Sequence, residues 1–116
     1  MRPAYFITHA NVRIDPQVPV PDWPLSDLGH RRMTDALRQP WIGDITSVYA
    51  STERKSFEMA AILAAHLGLP VTRVPEFGEN DRSATGFLPP DEFEAHADGF
   101  FARATEWVEG WERAID

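Results

Sequence analysis

A chain of 116 residues is one domain by length, and 43% hydrophobic residues with four tryptophans can fill a modest core and are too many for a disordered segment. A formal charge of −7 argues against a nucleic-acid binder, which relies on a basic face, and no apolar run approaches the ~20 residues of a membrane-spanning helix. Without cysteine there is neither a disulfide framework nor a thiolate metal site, and the opening MRPAYFIT lacks the apolar core of a secretory signal, so a cytoplasmic location is expected.

The β-branched and aromatic run AYFIT, residues 4–8, predicts a first strand that gives out at Thr8-His9-Ala10-Asn11. The next segment, DPQVPVPDWP, has four prolines in ten residues and excludes a helix. Ser26 then predicts an N-cap for a first helix over DLGHRRMTDALRQ, with Leu28, Met33, Ala36 and Leu37 as its apolar stripe and Pro40 as its stop. DITSVYAS predicts a second strand with Ile45, Val48 and Tyr49 as its apolar residues. In STERKSFEMAAILAAHLG, residues Phe57, Ala60, Ala61, Ala64 and Leu67 recur at helical spacing and Gly68 supplies the stop of a second helix. LPVTRVP predicts a third strand. From Pro75 the chain makes a long excursion, EFGENDRSATGFLPP, before DEFEAHADGFFARATEWVEGWERAID returns to helical spacing, with Trp107 and Trp111 as a packing face. Asp81 and Arg82 beside Glu79 read, taken alone, as a surface charge cluster.

Strand, helix, strand, helix, strand with short connections is the pattern of a parallel α/β sheet, whose ligands sit beyond the carboxyl ends of the strands. His9 and Ser51 each end a predicted strand, so both are expected at one sheet edge. His30, His66 and His96 show no metal-ligand spacing, and no metal site is expected.

Taken in order, FITHAN, WPLSDLGHRRM, YASTERKSFEMAAILAAHLGLPV and FGENDRSATGF resemble the histidine phosphatase superfamily, also called phosphoglycerate-mutase-like, through nearly the whole chain. The resemblance implies a three-layer α/β/α fold with a mostly parallel sheet. In that family the first strand ends in an Arg-His-Gly signature whose histidine is the nucleophile; Thr8, His9 and Ala10 match it. LSDLG, ending at Gly29, is similar to the Leu-Ser/Thr-x-x-Gly that opens the family's first helix. ASTERKSFEMAAILA is similar to Ser-Ser-x-x-x-Arg-Ala-x-Gln-Thr-Ala-x-x-Leu-Ala, with Lys55 at the arginine and Ala60 at the second alanine. Glu79 falls where the family places its acidic proton donor.

The implied chemistry needs neither metal nor cofactor. Neutral imidazole is a competent nucleophile near neutral pH, and phosphohistidine passes its phosphoryl group readily to water. Positive groups and donors must surround the transferring oxygens, a role open to Lys55, Asn11 and Thr8, while Glu79 would protonate the leaving oxygen. The expected function is therefore a phosphohydrolase acting on a small phosphorylated substrate. A mutase must return the phosphoryl group to bound product, and nothing in these residues favours that over hydrolysis.

Three departures bear on this reading. Thr8 stands in place of the first arginine, and a hydroxyl does not replace a planar cation that binds phosphate through two parallel hydrogen bonds. Lys55 brings charge without the fork, and Arg54 lies about 100° around the helix from it. The family's second histidine, in a Ser/Thr-His-Gly motif on a later strand that lies between the first two, has no counterpart here. The chain is thus expected to be the N-terminal part of a single histidine-phosphatase-like domain spanning 1–116 and incomplete at its C-terminus; the alternative is that a second chain or a rearranged segment fills the gap, in a homo-oligomer or by strand exchange. The alternative function is a catalytically impaired phosphate- or partner-binding relative.

Overall fold

The structure, a computed structural model, describes residues 3–79 and 87–102. Helix α1, Asp27–Ala36, begins where the sequence predicts, because the Ser26 hydroxyl accepts the Gly29 N–H at 3.1 Å and satisfies a first-turn donor. It ends before Pro40: Arg38 and Gln39 donate to carbonyls three residues back, Asp35 and Ala36, so the last turn tightens and leaves the helical path. A 3-10 turn over Pro40–Asp44 then drives Ile42 into the core.

Strand β1, Val48–Ala50, pairs in parallel with β2, Val71–Arg73, in the register Val48↔Val71, Tyr49↔Thr72 and Ala50↔Arg73. Helix α2, Arg54–Leu67, connects them, so the fold is α/β, and among the described residues its sheet has two strands. Period-two alternation turns Val48 and Ala50 inward and leaves Tyr49 58% exposed, so Tyr49 is not the core residue its character suggested. Gly68 closes α2 with φ +68°, a left-handed cap that favours glycine.

The buried face of α2 is Lys55, Met59, Ala60, Leu63 and Ala64, shifted from the predicted stripe in that Phe57, Ala61 and Leu67 are only partly buried. Met59, Ala60, Leu63 and Ala64 meet Leu25, Met33, Ile42, Val48 and Ala50 in one apolar cluster. Lys55, Met59 and Leu63 are four apart, so the lysine lies on the same row as core residues. Phe57 lies off that row, with the Arg73 guanidinium 3.6 Å above its ring.

Residues 4–8 do not form the predicted first strand. They pair with no strand among the described residues, and Phe6 is 93% exposed. Strand propensity reflects fit to a pleated, partnered surface and does not by itself supply the ladder. Among the described residues the first pairing comes later, at the antiparallel bridge Val12↔Leu25, flanked by Ser26 N–H to Asn11 C=O at 2.9 Å and Arg13 N–H to Pro24 C=O at 2.9 Å. A Cβ on Gly29 would overlap the Asn11 carbonyl oxygen, so only glycine lets residue 11 lie this close to the start of α1. Helix α3, Pro90–Ala102, begins the predicted C-terminal helical stretch. Asp81, Arg82, Trp107 and Trp111 lie outside the described residues.

Candidate active site

His9 follows the unpaired segment and is anchored locally: its ring Nδ1 lies 2.8 Å from the Ala10 carbonyl oxygen. A carbonyl only accepts, so Nδ1 carries the proton and, in the neutral ring, the lone pair is on Nε2. Nε2 lies 3.6 Å from Glu79 Oε1. That separation is an ionic approach beyond hydrogen-bond range, and a proton on either group makes it attractive.

Lys55 enters from the first turn of α2. Its side chain is 4% exposed, and its Nζ lies 3.1 Å from Glu79 Oε1 and 3.6 Å from Glu53 Oε2. An ammonium group in so dry a position requires compensating charge, and these carboxylates supply it. Arg54, one residue earlier, turns to the surface and pairs with Glu58 at 2.9 Å, as the 100° rotation predicts. The other Glu58 oxygen accepts the Leu25 N–H at 2.8 Å, which ties α2 to the segment before α1.

Glu53 ties the remaining parts together. Its Oε1 accepts from the Ser51 hydroxyl at 3.1 Å and from the Glu79 backbone N–H at 3.0 Å. Ser51 does follow β1, as expected of a residue at the sheet edge, and it is buried. Its hydroxyl donates to this carboxylate. Glu79 arrives on the chain leaving β2, after a 3-10 turn over Pro75–Phe77.

The structure thus brings His9, Lys55 and Glu79 together. Asn11 is oriented differently from a free anion donor: its Oδ1 accepts from Arg32 Nη1 at 2.6 Å, which leaves Nδ2 to donate. Thr8 is exposed and adjoins His9 in the chain. Two residues near these groups were missed in the sequence, Glu53 and Arg32. For Glu53 a signal existed, the Ser-x-Glu-x-Lys spacing at the start of α2; for Arg32, exposed on α1, none did. Among the described residues no group of three or more His, Asp or Glu is placed to hold a metal ion. No helix among them is long and apolar enough to cross a membrane.

The sequence model of the histidine phosphatase superfamily (branch 1) matches residues 5–114, nearly the whole chain, and no curated protein matches it. Together with the parallel βαβ unit, this match defines the class as an α/β protein of phosphatase or mutase type. The chain belongs to the histidine phosphatase superfamily.

Proposed function

We propose that the protein is a phosphohydrolase of small phosphorylated substrates, working through a phosphohistidine at His9. The observation that carries this reading is the convergence of three groups distant in sequence: Glu79 Oε1 lies 3.1 Å from Lys55 Nζ and 3.6 Å from His9 Nε2. The lone pair of His9 Nε2 attacks phosphorus as the bond from phosphorus to the leaving oxygen breaks, and Glu79, in the protonated form it must adopt once phosphate takes its place beside Lys55, gives its proton to that oxygen. A water then attacks the phosphohistidine, Glu79 takes the proton from the water, and the P–N bond breaks to return neutral imidazole and phosphate. The ammonium of Lys55, with the Asn11 Nδ2 and Thr8 hydroxyl donors, would face the charge spread over the three equatorial oxygens. The Ala10 carbonyl, which accepts from His9 Nδ1, keeps Nε2 as the nucleophilic nitrogen and stabilises the charge on the phosphorylated ring.

A second reading, a phosphate- or partner-binding relative without turnover, is favoured by one observation. Lys55 is already engaged by two carboxylates, and a bound phosphate must compete with them for the ammonium. The deciding experiment is an intact mass of the purified protein before and after incubation with acetyl phosphate, with His9→Ala alongside. An acid-labile phosphoryl adduct on the wild type and none on His9→Ala supports the hydrolase. No adduct on wild type leaves the binding relative as the account.

A further inference from the structure

Glu53 occupies the N-cap position of α2, where a short polar side chain ordinarily accepts from the N–H groups of the first turn. Here it caps nothing. Its Oε1 is turned away from the helix and shared between the Ser51 hydroxyl, at 3.1 Å, and the backbone N–H of Glu79, at 3.0 Å, while Oε2 faces Lys55 Nζ at 3.6 Å. The side chain is 13% exposed, so its contacts with Ser51 and Lys55 are made largely out of water, while the Glu79 N–H reaches it from an exposed segment. The chain that delivers Glu79 is seated closely against it: a Cβ on Gly78 would stand 3.4 Å from Glu53 Oε1 and 3.2 Å from the Pro75 carbonyl oxygen. Among the described residues, Glu53 holds the main chain of Glu79 and Lys55 holds its carboxylate.

From this geometry we infer that Glu53 is a positioning residue, which holds the Glu79 carboxyl where it can protonate the leaving oxygen. The inference rests on the proposed roles of His9 and Glu79 and adds to them a group that touches neither phosphorus nor leaving oxygen. The grip depends on reach. An oxygen at the end of a glutamate-length side chain spans from the start of α2 to the Glu79 N–H, whereas its negative charge serves Lys55. The two contributions separate in substitution: Glu53→Gln keeps an acceptor at the same reach and removes the charge, and Glu53→Asp keeps the charge and withdraws the acceptor by one methylene.

The test compares kcat/KM on glycerol phosphate, whose alkoxide must be protonated to leave, with kcat/KM on p-nitrophenyl phosphate, whose phenolate departs without help; kcat/KM reads transfer to His9 and not the later attack of water, in which Glu79 is the base for both substrates. Glu79→Gln serves as the reference for loss of the acid. Glu53→Asp is expected to lower kcat/KM on glycerol phosphate by about tenfold or more, within the range general acid catalysis supplies, and on p-nitrophenyl phosphate by less than about threefold. Glu53→Gln is expected to stay within about threefold of wild type on both. Equal losses on the two substrates, or Glu53→Gln falling further than Glu53→Asp, would overturn the positioning role and assign Glu53 to charge compensation of Lys55. Wild-type protein that turns over neither substrate overturns the hydrolase reading itself, and with it the role given to Glu53, a result distinct from turnover without the leaving-group dependence.

Discussion

Lys55 Nζ and Glu79 Oε1 stand 3.1 Å apart although 24 residues separate them in the chain. The lysine is nearly enclosed on the core row of α2, and the glutamate reaches it from the chain that follows β2, with its side chain 41% exposed. Through this contact α2 and the chain leaving β2 meet beside His9.

Removing the cation should therefore cost stability. In Lys55→Met the side chain suits the apolar row, yet the Glu53 and Glu79 carboxylates lose the charge between them and face each other. Breaking a buried pair costs about 3–5 kcal/mol, and the exposure of Glu79 reduces this, so a loss of about 2–3 kcal/mol is expected. A urea titration should show a lower midpoint with an unchanged slope; a midpoint equal to wild type would show that the enclosed ammonium contributes nothing to the fold.

Gly29→Ala sets helix propensity against contact. Alanine gains about 1 kcal/mol in a helix interior, but its methyl overlaps the Asn11 carbonyl oxygen, which already accepts from Ser26. The backbone of residue 11 must retreat and lose that bond, and a net loss of at least about 1–2 kcal/mol is expected. Thermal unfolding of Gly29→Ala reads the sign directly, and a raised Tm would refute the close approach.

Arg54→Ala and Glu58→Ala remove the two halves of one surface pair with unequal results. Arg54 contributes only an exposed pair four residues apart on a helix, so its loss should change stability by no more than about 0.5 kcal/mol. Glu58 also accepts the Leu25 N–H, and Leu25 is buried, so its loss strands a backbone donor at about 1–3 kcal/mol. Parallel urea titrations decide the matter. Equal effects would mean the Leu25 bond carries no weight.

Gly68→Ala isolates backbone strain. No atom lies within 4 Å of the added methyl, so the cost is that of holding an L residue at φ +68°, about 1–2 kcal/mol. Gly68→Asn, which tolerates the left-handed region better, should lose less. The ranking Gly, Asn, Ala in Tm checks this.

The extent of what could be read in the chain follows the range of the forces involved. Ser26 capping α1 and Gly68 closing α2 were legible because capping and left-handed turns are settled within a few residues. The βαβ order was legible for the same reason, since apolar periodicity and turn residues mark elements without reference to neighbours. The motifs also contained the family, through the order of the segments around His9, Gly29, Lys55 and Glu79.

Residues 4–8 mark the limit of such reading. Their composition is that of a strand, but a strand exists only where another lies alongside, and none does among the described residues. The direction of Tyr49 and the shift of the α2 stripe toward Met59 and Leu63 likewise depended on which partners each face met. At the site, the sequence alone determined the residue types: a histidine after an apolar run, a lysine opening a helix, a glutamate beyond the last strand. Only the tertiary structure decided that Lys55 is enclosed, that Glu79 lies against both it and His9, and that Glu53 turns from its helix to hold Glu79 by its backbone. Such contacts join positions that no local propensity couples, because burial and charge compensation are properties of the assembled chain and not of any one stretch of it.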